Sequence, residues 1–273
     1  IPNYRLPKER LDDDINAILK TGVDVKYGLK IGQDISIQDL RDQYDAVLIT
    51  IGASTDKKLG LEGEDADGIL SAVQFLRNVG KQEIMDLTGK QVAVIGGGNV
   101  SMDAVRTAKR LGAEKVSIVY RRRVADMTAL PDEIEGAVAE GIELQTLKAP
   151  ASLDVDENHH IRGIYVTPQM VSAIKNGRAS IRPTGEEDIY IPCDVLIVAI
   201  GQNIETKHFE EAGIPVERGK IVTKSTGAFE NMPGVFAGGD CASGPASVIK
   251  AIAAAKVVAA NIDEYLGYHH QIS

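Results

Sequence analysis

A glycine-rich turn follows the apolar stretch 91–95 and comprises Gly96, Gly97, Gly98, Asn99, Val100 and Ser101. Glycines at such a place let a strand turn sharply into a helix, whose free N–H groups and dipole favour an anion. Ser101 stands where the usual pattern has a third glycine, and its small side chain still permits close packing of helix against strand. The chemistry that this turn indicates is the binding of a pyrophosphate.

Two arginines about twenty residues after the turn indicate which dinucleotide is bound. A chain that uses NADH usually carries an acid there, whereas this chain has Arg121 and Arg122, followed by Arg123. A guanidinium binds a phosphate through paired, charge-assisted hydrogen bonds, and a carboxylate would repel it. We therefore predict that Arg121 and Arg122 bind the 2′-phosphate of NADPH. The alternative, a solvated basic end of a strand, is less favoured after a glycine turn.

The elements around these residues supply the context that the motif requires. The apolar pattern predicts a strand over 91–95, a helix over about 100–111 and a second strand over 115–120. Further predicted elements are a helix over 9–20, a strand over 23–27, a helix over 131–140, a strand over 142–147 and an antiparallel hairpin or small meander over about 152–191.

Two apolar runs, 45–52 and 194–201, share one pattern and end in Gly52 and Gly201. Each alone is typical of a buried strand that a glycine stops. Together they predict two nucleotide-binding domains with largely parallel sheets, and Gly52 and Gly201 are candidate cofactor contacts.

The C-terminal region carries a similar arrangement. A short strand is predicted over 235–240 and ends in Gly238, Gly239 and Asp240, and a long helix follows from 248 to about 265. Asp240 could accept hydrogen bonds from a polyol, and the helix N-terminus could face an electron-rich ring edge. The alternative is a turn in which Asp240 binds its own backbone.

Composition excludes several classes of function. The net charge of −9 and the pI near 5.1 argue against a nucleic-acid surface, which needs a broad basic face. The longest apolar stretch, around 249–262, is interrupted by lysines, so we predict no membrane span and a cytoplasmic protein. Cys193 and Cys241 form neither a CxxC pair nor a zinc set and are predicted to be buried and inert. No metal site is predicted.

Six segments lie in order along nearly the whole chain: IPNYRLPK at 1–8, the strand at 44–52, GGGNVSMDAVRTAKRLGA at 96–113, VYRRR at 119–123 with Met127 and ALPDE at 129–133, IGQ at 200–202, and GGDCASGPASVIKAIAAAK at 238–256. In these motifs the chain resembles the flavoprotein small (beta) subunit of NADPH-dependent glutamate synthase. It is also similar to the N-terminal half of dihydropyrimidine dehydrogenase and to ferredoxin-NADP reductases of anaerobes.

The resemblance implies an α/β fold of two interleaved Rossmann-like domains. Residues 1–55 and 205–273 would belong to a flavin (FAD) domain, and residues 56–204 to an NADPH domain. It gives the pyrophosphate role to Gly96–Ser101 and the 2′-phosphate role to Arg121 and Arg122. Flavin contacts are implied at Gly239, Asp240, Ala246, Ser247 and Val248.

The chain departs from the family pattern in small and large ways. It has Asn99–Ser101 for Asn-Thr-Ala, Met127–Ala129 for Met-Pro-Ala and Thr50–Gly52 for Ala-Thr-Gly. It also lacks the family's first βαβ unit, whose GxGxxG holds the ADP half of FAD, and the upstream cysteines for iron–sulfur clusters. We therefore expect a fragment with an incomplete flavin domain, whose exposed apolar surface favours a homodimer.

The activity implied for the intact protein is hydride transfer from NADPH to FAD. Electrons would then pass to an iron–sulfur protein or an electron-accepting large subunit. We predict no catalytic side chain, because the flavin carries the chemistry. An NADPH-binding module without turnover is the alternative for this chain alone. A disulfide reductase related to thioredoxin reductase is disfavoured by the lack of CxxC. The sequence leaves the physiological acceptor open.

Overall fold

The structure is a computed structural model that describes residues 1–271, except for the side chain of Lys175. Eight α-helices lie within these residues: α1 (Lys8–Leu19), α2 (Ile37–Gln43), α3 (Ala72–Gly80), α4 (Asn99–Arg110), α5 (Pro131–Ala139), α6 (Lys207–Glu211), α7 (Asp240–Ser243) and α8 (Val248–Tyr265). A single 3₁₀ turn, Val124–Asp126, is described as well.

The strands of the described residues are mostly short: β1 (Val47–Ile49), β2 (Thr55–Asp56), β3 (Ile69–Ser71), β4 (Gln91–Ile95), β5 (Lys115–Tyr120), β6 (Glu143–Thr146), β7 (Lys148–Val155), β8 (Ile161–Lys175), β9 (Arg178–Pro183), β10 (Ile189–Pro192), β11 (Val195–Val198), β12 (Gln202–Asn203), β13 (Val216–Glu217), β14 (Lys220–Ile221) and β15 (Val235–Ala237). The predicted strand over 23–27 is wrong, since this stretch forms no strand and Val23, Val25 and Tyr27 are exposed.

The chain folds into two units. One comprises Ile1–Thr21 with Asp56–Gly201, and the other comprises Gly22–Thr55 with the described residues from Gln202 onward. The chain passes from one unit to the other after Thr55 and after Gly201, whereas the predicted domain boundaries follow residues 55 and 204. Residues 1–21 differ, because they pack with the larger unit although the prediction placed them in the flavin domain.

The parallel sheet of the larger unit has the strand order β3-β11-β4-β5-β6. Alternate residues of its central strands face opposite sides. Val92 and Val94 pack against α3, α4 and α5, whereas Ala93 and Ile95 pack against the antiparallel strands. Burial on both faces explains why these strands read as unbroken apolar runs. The predicted α/β class is confirmed.

The antiparallel layer is built around β8, which is fifteen residues long. It pairs with β7, β9 and β10, which confirms the predicted meander. The β8–β9 turn has positive φ at Asn176 (50°) and Gly177 (77°), a combination that suits a tight two-residue hairpin.

An ion-pair cluster explains why the N-terminal segment belongs to the larger unit. Arg5 Nη1 donates to Asp103 Oδ1 on α4 at 2.8 Å, and Arg5 Nε lies 3.1 Å from Glu133 Oε1 on α5. The guanidinium of Arg110 stacks 3.9 Å from the ring centroid of Tyr4. Burial, reinforced by the charge of Asp103, raises the pKa of Tyr4 to about 12. The segment is therefore attached to α4 and α5, two of the helices that pack against the parallel sheet.

Replacing Arg5 by alanine is expected to lower the free energy of unfolding by about 2–4 kcal/mol, because the nearly buried Asp103 loses its guanidinium partner. Urea denaturation at pH 7 measures this loss. Arg10→Ala is the control, since Arg10 lies exposed on α1 and its side chain makes no hydrogen bond or ion pair with the described residues. Similar small losses in both variants would contradict the role of the cluster.

The smaller unit contains the parallel pair β1 and β15, in which Leu48 lies opposite Phe236. Its core includes Ile37, Ile49 and Phe209. Helix α8 has the predicted bounds and buries Val258, whereas Ile249 is 78% exposed. Among the described residues, no helix is long and apolar enough to cross a membrane.

Candidate nucleotide-binding site

The glycine turn is closed in by its neighbours. Gly96 has φ of 146°, and a Cβ added there would lie 2.3 Å from the carbonyl oxygen of Ala199 and 2.4 Å from Ser101 Oγ. A Cβ on Gly97 would lie 2.6 Å from the ring of Tyr120. Both positions therefore require glycine for a steric reason, which is the close approach of strand, helix and ring.

Helix α4 presents free backbone amides at its N-terminus. Gly98 is the N-cap, and as a glycine it has no side chain that could accept a hydrogen bond from the first amides of the helix. Among the described residues, no acceptor is hydrogen-bonded to the amides of Gly97, Gly98, Asn99 or Val100. Unsatisfied amides at the start of a helix, together with the helix dipole, make an anion-binding site. The geometry fits the predicted pyrophosphate.

A second loop is fastened to the glycine turn. Thr128 N and Ala129 N donate to Gly97 O at 2.9 and 3.1 Å, and Leu130 N donates to Asn99 Oδ1 at 2.9 Å. Sequence reasoning assigned no such role to these residues, because the partners lie about thirty positions apart and share no local pattern. The Asn99 side chain thus positions the loop and the turn together.

Ser101 and Val100 contribute by packing. Ser101 is fully buried, with Oγ 3.5 Å from the carbonyl oxygen of Ala199. The Val100 side chain packs against the core between α4 and the sheet. Any contact of these two residues with an anion would therefore come from the Val100 amide, since Ser101 N donates to Gly98 O.

The run of three arginines divides into two kinds. Arg121 is exposed and its side chain makes no hydrogen bond or ion pair with the described residues, and Arg122 donates through Nε to Ala179 O at 3.1 Å. Arg123 instead pairs with Asp126, at 2.8 Å for Nε and 3.0 Å for Nη2. The first two, which the sequence singled out for the 2′-phosphate, make no ion pair with a described carboxylate, whereas Arg123 is neutralised by Asp126.

The arginines and the glycine turn lie at one edge of the sheet. Strands β4 and β5 are parallel neighbours with Ile95 opposite Val119, so the residues that follow both strands emerge at their carboxyl ends. Gly201, with φ of 129°, follows β11, which neighbours β4 on the other side. Ligands of open parallel α/β sheets bind at this edge.

Asp126 is a buried carboxylate that the sequence did not single out. It accepts hydrogen bonds from Arg123 and from Ala179 N at 2.8 Å, and its carbonyl accepts from Tyr120 Oη at 2.7 Å. The Arg123 guanidinium and the Ala179 amide hold the pKa of Asp126 far below its usual range. This carboxylate ties the end of β5 to the start of β9.

A depressed folded-state pKa makes the contribution of Asp126 to stability depend on pH. The contribution is fully present above the unfolded-state pKa of about 4 and is lost as the pH falls toward the folded-state value. We expect the stability difference between the protein and Asp126→Asn to be largest at pH 6–7 and to shrink below about pH 4. Denaturation midpoints across this range measure it, with exposed Asp13→Asn as control. A pH-independent difference would contradict the assignment.

In the smaller unit, three of the residues predicted to contact a cofactor follow the carboxyl ends of strands. Gly52 (φ 66°) follows β1, and Gly239 (φ 75°) and Asp240 follow β15. Gly238 N donates to Ile49 O at 3.1 Å, so the ends of the two parallel strands lie side by side. The Asp240 side chain makes no hydrogen bond with the described residues. The alternative, a turn in which this carboxylate binds its own backbone, is therefore not formed.

The start of α8 completes this second set. Ser247 is the N-cap, and its side chain accepts a hydrogen bond from Lys250 N at 3.4 Å. Ala246, Ser247 and Val248 are exposed. They present an open helix N-terminus, with one amide satisfied by the cap.

Comparison with known proteins decides the family. A family model described as "Pyridine nucleotide-disulphide oxidoreductase" matches residues 7–255. The chain belongs to this family. Its resemblance to the glutamate synthase small subunit and related beta subunits is confirmed by the relatives that follow.

Three relatives illustrate the range of this branch of the family. The chain is 37% identical to the "NADP(+)-dependent formate dehydrogenase subunit beta" of Moorella thermoacetica, over 97% of this chain and 38% of that protein. It is 34% identical to the "NADPH-Fe(3+) oxidoreductase subunit beta" of Geobacter sulfurreducens, over 97% and 43%. It is 32% identical to the "Glutamate synthase [NADPH] small chain" of Escherichia coli, over 97% and 60%. The chain thus spans about two to three fifths of these relatives.

Two solved structures have a fold similar to that of this chain. FprA of Mycobacterium tuberculosis in complex with NADPH has a TM-score of 0.73 at 20% identity, over 94% of this chain and 72% of that one. Thioredoxin reductase of T. acidophilum has a TM-score of 0.63 at 22% identity, over 81% and 65%. Both likenesses concern the fold alone.

The two thiols of this family member are unsuited to disulfide exchange. Cys193 and Cys241 are free and buried, as the sequence predicts. Burial raises the pKa of Cys193 to about 12 and also raises the pKa of Cys241. A thiolate, which is the reactive form, is therefore disfavoured at both positions. Within residues 1–271, no three potential metal ligands come together.

Proposed function

We propose that the chain is the NADPH-binding part of a flavoprotein oxidoreductase, in which hydride passes from NADPH to FAD and electrons continue to an iron–sulfur or partner subunit. The observation that carries the proposal is the placement of free helix amides and of Arg121 and Arg122 at one sheet edge. Amides suit a pyrophosphate, and arginines suit the additional phosphate that distinguishes NADPH from NADH.

The chain's own residues have a limited task in this reaction. When bound, NADPH supplies the hydride and FAD accepts it, so the protein has to bind, orient and shield the cofactors. The pyrophosphate would lie against the amides of Gly97–Val100, and the 2′-phosphate against the arginines that follow β5. No side-chain acid, base or nucleophile is required, and none is proposed.

The smaller unit fits the flavin end of FAD. Gly52, Gly239 and Asp240 lie at adjoining strand ends, and Ala246–Val248 lie at the start of α8. Backbone approach at the glycines and acceptance of polyol hydrogen bonds by the Asp240 carboxylate support these contacts. A second glycine fingerprint for the ADP half does not occur in the sequence. We therefore propose FAD as a cofactor of the longer protein.

The electron acceptor is proposed only as a class. Two of the relatives are named beta subunits and a third is named a small chain, which supports a partner subunit for this protein as well. The names cover formate dehydrogenase, Fe(3+) reduction and glutamate synthase, so a glutamate synthase-type acceptor is one candidate among several. A cytoplasmic location and a homodimer stay predictions.

An NADPH-binding module without turnover is the second candidate for the chain by itself. Two observations favour it, which are the single glycine fingerprint and the span of 38–60% of the relatives' length. Bound FAD would then depend on contacts that only the longer protein supplies.

One pair of experiments tests both candidates. The chain is incubated with FAD and passed through gel filtration, and its visible spectrum and its reduction of a dye by NADPH are measured. We expect a colourless protein without turnover. In the longer protein, stopped-flow mixing with NADPH is expected to bleach the flavin band. Failure of NADPH to reduce that flavin would overturn the oxidoreductase proposal. Reduction of the dye by the isolated chain would overturn the second candidate, a binding module without turnover.

A further inference from the structure

We propose that Arg178, at the tip of the β8–β9 hairpin, is a third cationic contact for the 2′-phosphate, and that the hairpin tip orients Arg122 toward it. This inference rests on the proposed NADPH site and extends it to a distant part of the sequence. The contacts of Ala179 carry it.

The backbone amide and carbonyl of Ala179 both form hydrogen bonds with side chains near the end of β5. Its amide donates to Asp126 Oδ1 at 2.8 Å, and its carbonyl accepts from Arg122 Nε at 3.1 Å. Asp126 is buried and itself held by Arg123. The hairpin tip is therefore fixed at the strand end that carries the predicted phosphate ligands, although it lies more than fifty residues away in sequence.

The bond from Arg122 to Ala179 also restricts the arginine. With Nε donating to a carbonyl, the guanidinium plane is fixed on one side while its terminal nitrogens keep their donors for another acceptor. A planar fork that is held in place loses less freedom when it binds a phosphate. Ala179 thus contributes through its backbone, irrespective of its side chain.

Arg178, the residue before Ala179, is placed near the end of β5 by these hydrogen bonds. The carbonyl of Ala179 accepts the hydrogen bond from Arg122. Since consecutive Cα atoms are about 3.8 Å apart, the backbone of Arg178 lies next to this contact. Ala179 is 2% exposed, and alternation along β9 turns Arg178 to the solvent side. Its side chain makes no hydrogen bond or ion pair with the described residues.

Charge supports an anionic ligand at this place. The chain carries a net charge of −9, yet Arg121, Arg122 and Arg178 make no ion pair with a described carboxylate. Within residues 1–271, Arg123 near the same strand end is instead neutralised by Asp126. Arg121 and Arg122 are consecutive, and Arg178 precedes the residue that Arg122 contacts. Arginines that are close in this way and lack a carboxylate partner gain most from a doubly charged phosphate.

Isothermal titration of the chain with NADP⁺ and with NAD⁺ tests the inference. Arg178→Ala is expected to weaken NADP⁺ binding about tenfold, as for one charge-assisted contact, and to change NAD⁺ binding less than about twofold. Arg178→Lys should restore part of the loss. Arg182→Ala is the matched control, because Arg182 is exposed on the same face of β9 about 13 Å further along and should change neither affinity.

The outcomes separate this inference from the proposed function. If the unaltered chain binds NADP⁺ no more tightly than NAD⁺, the NADPH site itself fails. If the chain prefers NADP⁺ and Arg178→Ala behaves like Arg182→Ala, the inference alone is overturned. If Arg178→Ala lowers the affinities for NADP⁺ and NAD⁺ equally and leaves the denaturation midpoint unchanged, the inference is also overturned. A contact with the 2′-phosphate must lower the affinity for NADP⁺ more than that for NAD⁺.

Discussion

Replacing Arg121 and Arg122 together by alanine is expected to weaken NADPH binding by about 2–4 kcal/mol, or roughly 30- to 1000-fold, and to leave NADH binding nearly unchanged. The reason is that each guanidinium contributes charge-assisted contacts that only the 2′-phosphate can accept. Arg121 has no side-chain partner among the described residues, so its removal costs little stability. Arg122 also loses its bond to Ala179 O.

Dissociation constants for both nucleotides, measured by calorimetry with the single and double variants, check this expectation. The arginines act independently if the two single losses add up to the double loss. A parallel loss of NADPH and NADH binding would mean that the arginines hold the fold of the site, and would contradict their role in selecting the nucleotide.

The second large effect is expected at Gly96. Alanine there would place Cβ 2.3 Å from the Ala199 carbonyl oxygen and would have to adopt φ of 146°. Steric overlap with backbone and backbone strain together are expected to cost about 3–5 kcal/mol of unfolding free energy. Nucleotide binding should be lost with the turn, because the free amides of α4 would be displaced.

Gly98→Ala is the matched control for this variant. Gly98 has φ of −104°, and an added Cβ would lie 3.4 Å from Thr128 Oγ1, which is ordinary contact. We expect this variant to lose no more than about 1 kcal/mol, as for alanine at a helix N-cap. Urea denaturation of the two variants side by side gives the comparison. Equal destabilisation would refute the steric account of the turn.

The sequence predicted the elements with strong local signals well. Strand β5 and helix α8 have the predicted bounds, and α4 begins and ends within one residue of the prediction. Their apolar periodicity and flanking glycines are local properties of the chain. The strand predicted over 23–27 is wrong because alternation alone does not supply a partner strand, and none pairs with it among the described residues.

The contacts that position the site could not be predicted in this way. Asn99 holds Leu130, and Asp126 and Arg122 hold Ala179, across 31, 53 and 57 positions. Such pairs have no spacing signature, since they arise only when separate elements pack. The same is true of Arg5 and Asp103, which attach the N-terminal segment to the larger unit. Residue type predicted a phosphate ligand for the arginines, whereas tertiary packing pairs Arg123 with Asp126 and leaves Arg121 and Arg122 without a carboxylate partner among the described residues.

We propose that the sheet edge formed by the glycine turn, Arg121 and Arg122 selects a 2′-phosphorylated dinucleotide. Titration of the unaltered chain with NADP⁺ and with NAD⁺, at one fixed ionic strength, tests it most directly. We predict one NADP⁺ site per chain and an affinity at least about thirtyfold higher for NADP⁺ than for NAD⁺. Equal affinities for the two nucleotides, or no binding of either, would contradict the account.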